Sequence, residues 1–311
     1  MTPLFDVLLA GLLLAVAFWT VRVADTLTSI VGFIAYGLLL GLVWVRLDSI
    51  DVALTEAAIG GGLTGVLLLR AGVRMSGAGS SFGDSGPSFK LLVGALCATI
   101  SIGLATLVLW PPEASPGLAG AVAAQMPPLG LANPVTAVLL GFRSLDTLLE
   151  IIVLLLALLG VWSLTPDPLW GGVPGPQLTR RPDATMVFFT RVLIPFAIVY
   201  ALHVFWAGAD APGGKFQAGT ILAAAIVLAT MAGILAMPRT SSRRQRILLV
   251  VGPATFLAIG FLGVFLADGF LAYPDGWAKP LIIVIEAALL PSIALILALV
   301  VLGPPERRSA P

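Results

Sequence analysis

The chain is expected to fold as an all-α polytopic membrane protein with about nine transmembrane helices. Of its 311 residues 59% are hydrophobic and 11% are charged, and the mean hydropathy is +1.05. A soluble domain carries about 25% charged residues, so this composition leaves no room for a soluble domain of useful size. The net charge of +1 argues against a nucleic-acid partner. The single cysteine, Cys97, lies inside an apolar run, and the single histidine is His203. That inventory excludes a disulfide framework and makes a Cys/His metal site unexpected. No nucleophile–base set and no cofactor fingerprint appears, so neither an enzyme acting alone nor a bound cofactor is expected.

The first apolar run, Leu4 to Thr20, has no basic segment before it, and Arg22 follows it. It reads as a retained helix rather than a signal peptide. The second run spans about Thr26 to Val45, and its Gly37 and Gly41 form a GxxxG pair that permits close helix approach. The third runs from Asp51 to about Leu69. Asp51 is most simply an N-cap, and Glu56 lies about 7 Å deeper at 1.5 Å per residue. Gly60, Gly61, Gly62 and Gly65 weaken an isolated helix and suit tight packing against a neighbour. Ser76 to Ser88 reads as a flexible linker. A fourth run covers Phe89 to Trp110, and the proline-rich segment after it cannot be one continuous helix.

The organising stretch is Asn133 to Trp162, NPVTAVLLGFRSLDTLLEIIVLLLALLGVW. It is expected to hold a short helix over residues 135–143 and a fifth span over about Leu145 to Trp162. On one helix Arg143, Asp146 and Glu150 sit at i, i+3 and i+7 and share a narrow stripe. Twelve uncharged, almost wholly apolar residues follow Glu150, which sets that stripe in or beside a bilayer. An ionisable residue there costs about 2.5–3.5 kcal/mol on insertion scales and commonly marks an ion or proton path. The alternative is an interfacial cluster that reaches back to the headgroups.

Thr165 to Asp183, rich in proline and glycine, is the clearest boundary in the chain. Four runs follow: Met186–Trp206, Phe216–Met237, Ile247–Leu266 and Pro280–Leu302. Between the first two, Pro212-Gly213-Gly214 forces a turn whose backbone amides can approach a neighbour or an ion. His203, one turn earlier, is either a hydrogen-bonded packing residue or a proton carrier. Glu286 falls within the last run, where a carboxylate needs a partner or a water-filled cavity, and Pro291 is expected to kink that helix.

With nine spans, thirteen basic residues fall on one side and three, Arg46, Lys215 and Lys279, on the other. That asymmetry places the N-terminus outside and the C-terminus in the cytoplasm.

Three local patterns carry a family resemblance. DVALTEAAIGGGLT at 51–64 resembles the three-helix module of membrane-bound hydrogenases that recurs near the C-terminus of the large subunit of Mrp-type cation/proton antiporters. The 133–162 stretch resembles the two-helix module that follows it there, whose usual form is close to N-V-x-x-I-L-V-D-F-R-G-F-D-T-L-G-E. HVFWAGADAPGGKFQAG, with its four helices, is similar to the small B subunit of the same antiporters, typically H-N-A-P-G-G-G-F. The resemblance implies a 3 + 2 + 4 helix arrangement, with modules at 1–75, 89–163 and 186–303.

It further implies a fused accessory subunit of a complex I-related antiporter that exchanges Na+ or another monovalent cation for protons. Its partners would be a large antiporter-like subunit and small complex I-like subunits, in a bacterial or archaeal cell (inner) membrane. By position, Glu56, Arg143, Asp146 and Glu150 match polar family residues, and His203 and the turn at Pro212–Gly214 match the B-subunit loop. Gly141 stands where the family often has aspartate, Leu149 for glycine, Asp210 for asparagine and Lys215 for the third glycine. Lys215 either disfavours a bound cation or forms a salt bridge with Asp210. Together the residues and the resemblance give ion-path candidates Glu56, Arg143, Asp146, Glu150, His203 and, from its place in the last apolar run, Glu286, and loop candidates Asp210, Gly213, Gly214 and Lys215. Two other roles fit the same modules: a membrane arm of a redox-driven pump such as a hydrogenase, and a structural adaptor.

The charge split is testable by labelling intact cells carrying single cysteines in a Cys97-free background. A cysteine at Ser115 should react with an impermeant thiol reagent, while those at Ser80 and Ser241 stay protected. Any other pattern overturns the nine-span arrangement with its N-terminus outside.

Overall fold

The computed structural model describes residues 3–77, 86–110, 117–175 and 183–305. These residues are all-helical, with only isolated backbone bridges at Pro174, Gly175 and Pro305. Among them eight helices are long and apolar enough to cross a membrane: α1 (Pro3–Arg22), α2 (Thr26–Arg46), the composite Ile50–Val73, α5 (Pro87–Leu109), α8 (Ser144–Ser163), α9 (Ala184–Ala207), α11 (Arg243–Leu266) and α12 (Ala278–Leu302). A further apolar helix, α10 (Lys215–Met231), has 17 residues. It ends six residues earlier than its apolar run, because Gly233 takes a positive φ of 66° and turns the chain. The chain is therefore a multi-pass membrane protein. The expected cytoplasmic linker at 76–88 falls partly on residues 78–85, and position 115 on 111–116, both outside the described residues.

The composite third helix is α3 (Ile50–Thr55), a π-helical stretch (Glu56–Leu63) and α4 (Thr64–Gly77). Its glycines set the packing. A Cβ on Gly37 of α2 would lie 3.1 Å from the Gly61 Cα, and a Cβ on Gly65 would lie 2.5 Å from Ile34. Backbone meets backbone at Gly37 and Gly61, and the Ile34 side chain packs onto Gly65, as small residues at membrane helix interfaces allow.

The core is α12. Ile282, Ile285, Leu289, Ile293, Ile296 and Leu299 are completely buried along its length, and the helix continues through Pro291. Helices α10 and α11 close on it through glycine as well. A Cβ on Gly219 would meet Ile293 at 2.7 Å, and one on Gly252 would meet the Leu289 Cα at 2.8 Å. Helix α9 packs on α10, α8 on α12, and the π-helical stretch on α10. In contrast every residue of α5 is exposed.

Loops at one end of the bundle tie together 171–175, 240–241 and 303–305. Thr240 donates its N–H to the Gly172 carbonyl at 2.8 Å, and the Arg70 guanidinium donates to the Val301 carbonyl. The opposite end holds Asp51, Asn133, the loop between α9 and α10, and Lys279. Between α5 and α8 lie the short helices α6 (Ala119–Gln125) and α7 (Pro134–Thr136), the latter running into a π-helical turn at Ala137–Phe142.

Candidate functional site

The site grows from the loop between α9 and α10. Gly213 and Gly214 adopt φ of 150° and 124°, which side-chain-bearing residues rarely reach. A Cβ on Gly213 would also press to 2.4 Å from the Val204 carbonyl oxygen. The glycine pair thus turns the chain back against the end of α9, where Gly214 donates its N–H to the Val204 carbonyl at 3.0 Å.

The loop's other polar groups are taken up by distant segments. Gly213 donates its N–H to Asp51 Oδ1 at 2.8 Å, and the Ala209 carbonyl accepts from the N–H groups of Ala132 and Asn133, both at 3.2 Å. The Gly208 carbonyl accepts from Thr136 Oγ1 at 2.6 Å and the Ala211 carbonyl from Asn133 Nδ2 at 2.9 Å. Asn133 also caps α7, its Oδ1 accepting from the Val135 N–H at 2.9 Å.

Asp51 is not the N-cap expected from its position. It lies inside the first turn of α3, behind Ser49, and its buried carboxylate reaches out to Gly213 and, at 3.4 Å, to Asn133 Nδ2. The loop amide is the stronger claim on that carboxylate, because a buried backbone N–H must find an acceptor.

Lys215 follows the turn as the first residue of α10. Its side chain is 4% exposed and its Nζ lies 3.6 Å from Oε1 of Glu286, itself 4% exposed. The expected pairing of Lys215 with Asp210 does not occur. Asp210 instead takes Lys279, at 2.7 Å through each carboxylate oxygen. That hydrogen bond holds the Asp210 carboxyl below its ordinary 3.8. Its small, water-screened contribution is present above that pH and is lost as the pH falls through the lowered value. Glu286 stands eight residues beyond Ala278, ~12 Å along α12, and a Cβ on Gly214 would lie 3.6 Å from its carboxylate. The loop therefore runs from the helix end, at Lys279, down to the depth of Glu286.

A cavity of about 240 Å³ opens at this depth, lined by Asp51, Glu150, Lys215 and Glu286 with Thr136, Gln217 and apolar residues. A second cavity, about 290 Å³, lies toward the helix ends between Asp48, Asn133 and Asp210. Asp51, Val52 and Val135 line both. Three carboxylates and one ammonium thus line one cavity whose remaining walls are largely apolar. Such a set can hold, exchange or relay a small cation or a proton.

Glu150, Glu286, Gly213, Gly214 and Lys215 therefore meet in one place, and the other sequence candidates lie elsewhere. Glu56 folds over Gly60 and faces Gly37 of α2. Arg143 breaks the chain between the π-helical turn and α8, with φ −129° and ψ 38°, and pairs with Asp146 as an exposed ion pair. That break takes Arg143 off the helix, so it shares no helical stripe with Glu150. His203 is exposed on α9, and Asp210 sits on the rim. Asp51, Asn133 and Gln217 were not singled out as site residues. Asp51 opens the DVALTE pattern and Asn133 opens the organising stretch, which is the signal that could have found them. Gln217, which donates to Thr55 Oγ1 at 3.2 Å, has no such marker.

Asp51→Ala removes the carboxylate that satisfies the Gly213 amide. An orphaned buried donor costs about 1–3 kcal/mol, so the thermal midpoint of the purified protein should fall. Asp51→Asn keeps an acceptor and should lose less. Equal midpoints for Asp51→Ala and the unmodified chain would show that the loop holds without this bond.

Residues 185–304 match a family described as a domain related to the MnhB subunit of the Na+/H+ antiporter. Residues 11–76 match the MbhD family, described as the D subunit of MBH. No curated protein matches the chain. Among solved structures, a chain of the Mrp complex from Dietzia sp. DQ12-45-1b shares 21% identity over 98% of this chain, with a TM-score of 0.72. This chain spans 35% of that chain's length. A chain of the membrane-bound sulfane sulfur reductase, an archaeal respiratory membrane complex, shares 21% identity over 69% of this chain and 98% of its own length, with a TM-score of 0.57. The fold is that of these membrane complexes, and along the chain a segment that matches the MbhD family precedes one that matches the MnhB-related family.

Proposed function

We propose that this chain is an accessory membrane subunit of a multisubunit monovalent cation/proton antiporter of the Mrp type. In that role it lines part of the ion path and binds neighbouring subunits. The observation that carries the reading is the cavity lined by Glu150 and by the buried pair Lys215 and Glu286, which adjoins a second cavity toward the helix ends at Asp51. The MnhB-related match over 185–304 supports the antiporter setting, and the order of the two family matches supports a fused subunit of 3 + 2 + 4 helices, divided at about 1–75, 89–163 and 186–303. The partners are a large antiporter-like subunit and small complex I-like subunits in a bacterial or archaeal cell membrane. The chain is a transporter subunit rather than an enzyme. In this reading the nine apolar runs cross the membrane with the N-terminus outside and the C-terminus in the cytoplasm.

A second reading is favoured by the MbhD match and by the sulfane sulfur reductase likeness. In it the same cavity serves a redox-driven pump, and the chain forms part of its membrane arm. Purification of the assembled complex separates the two. Antiporter subunits alone support the first reading, and a co-purifying hydrogenase or reductase module supports the second.

Glu150 is the residue assigned to ion transfer, because it is the cavity carboxylate that neither the loop nor Lys215 engages by hydrogen bond or ion pair. Glu150→Gln keeps the shape and removes the titratable group. The complex should assemble and lose most coupled transport in everted vesicles. Normal transport by that variant would reduce Glu150 to a packing role.

The chain by itself is expected to move no ions. Purified alone and reconstituted into liposomes, it should dissipate neither a Na+ nor a proton gradient. Robust exchange by the single chain would overturn the accessory-subunit reading.

A further inference from the structure

The cavity already contains a cation, and it is covalently attached. Lys215 is 3% exposed and Glu286 3% exposed, and the Lys215 Nζ stands 3.6 Å from the Glu286 carboxylate. A monovalent metal ion at Glu286 Oε1 would compete with the ammonium for that oxygen. The Asp51 carboxylate does not offer a free coordinating group beside Glu286. Its Oδ1 is engaged by the Gly213 amide, and its Oδ2 faces the Asn133 side-chain amide. The Lys215 side chain is also confined. It leaves the backbone at the first residue of α10, next to Gly214, and its Nζ lies 5.3 Å over the Phe216 ring. The neighbouring backbone packs against α9 through Gly208 and Gly214, where a Cβ on Gly208 would meet the Gly214 Cα at 2.5 Å. The ammonium is therefore held at the carboxylate rather than free to leave it.

We propose that Lys215 is the specificity-determining residue of this cavity: its ammonium acts as a tethered counter-cation at Glu286 and excludes free monovalent metal ions from that carboxylate. Metal-ion entry at Glu286 is closed by charge and by space together, since two cations within contact of one buried carboxylate repel strongly. This deepens the ion-path reading above and rests on it. The exclusion itself is a statement about binding and can be tested without any transport.

The test uses the purified, assembled complex and equilibrium binding of radioactive Na+, compared between variants. Lys215→Ala removes the ammonium and leaves the Glu286 carboxylate uncompensated in a buried site. The variant complex should gain a saturable Na+ site absent from the unmodified complex, with affinity about tenfold or more above the background sites. The gain should vanish in the Lys215→Ala/Glu286→Gln double variant and be absent in Lys215→Arg, which keeps the charge. An assembled Lys215→Ala complex with no added Na+ site would overturn the proposal. Glu286→Gln in the unmodified background keeps the question answerable if Lys215→Ala fails to assemble. It should leave Na+ binding unchanged, and a loss of a Na+ site there would show that Glu286 holds a free metal ion despite Lys215. Because binding is read, these outcomes are independent of whether the complex exchanges ions, which the Glu150→Gln vesicle assay reports separately.

Discussion

Backbone N–H and C=O groups buried inside a protein must find hydrogen-bond partners there. The stretch from Gly208 to Gly214 meets that constraint with groups drawn from separate parts of the chain. Its amide at Gly213 goes to Asp51, its carbonyls at 208, 209 and 211 go to Thr136, to the backbone at 132 and 133, and to Asn133, and the Gly214 amide returns to α9. Remove Asp51 and the buried Gly213 amide is orphaned. The positions of α3, α7 and α9 relative to one another follow from this shared loop. So does the start of α10, whose first residue lies at the depth of Glu286 rather than at the helix ends.

Starting α10 at that depth is what buries Lys215. Taking two charges out of water costs several kcal/mol per ion after relaxation, and their attraction offsets this only with good geometry. The Lys215–Glu286 pair is thus weak evidence for stability and stronger evidence for a role in the cavity. Around it the structure separates polar and apolar space sharply. Toward the helix ends lie two adjoining cavities that share Asp51. Toward the opposite end Leu158, Trp162, Met237, Leu249, Ile296 and Leu299 form a closed apolar cluster.

The helices were legible because hydrophobic length is a local property. Each of the nine apolar runs contains a helix, and the glycines at 37, 61 and 65 mark a close contact because small residues are needed wherever backbones meet. The partners of the charged residues were not legible in the same way. Lys215 and Asp210 are five residues apart, which made their pairing plausible, yet each binds a residue on α12 about 70 positions away. Asp51 read as a helix cap because capping is local, whereas its true partner is 162 residues distant. The Arg143, Asp146 and Glu150 stripe assumed a continuous helix. The π-helical turn at Ala137–Phe142 and the break at Arg143 carry no proline or glycine signal strong enough to announce them.

The distribution of charge along α12 decides how an ion could cross this chain. Glu286 lies ~12 Å from the start of the helix, and the sixteen residues from Ala287 to Leu302 contain no ionisable group. Those residues extend ~24 Å further, which is most of a ~30 Å hydrocarbon layer, and they pack into closed apolar clusters. A route that enters past Asp51 cannot continue down the bundle interior. On the proposed reading it leaves sideways at Glu150, which lines the cavity and is also exposed on the outer face of α8. A carboxylate facing lipid at that depth would be costly, so the proposed reading has a neighbouring subunit cover it and carry the path onward. On that reading the chain supplies one part of the depth and would conduct nothing alone.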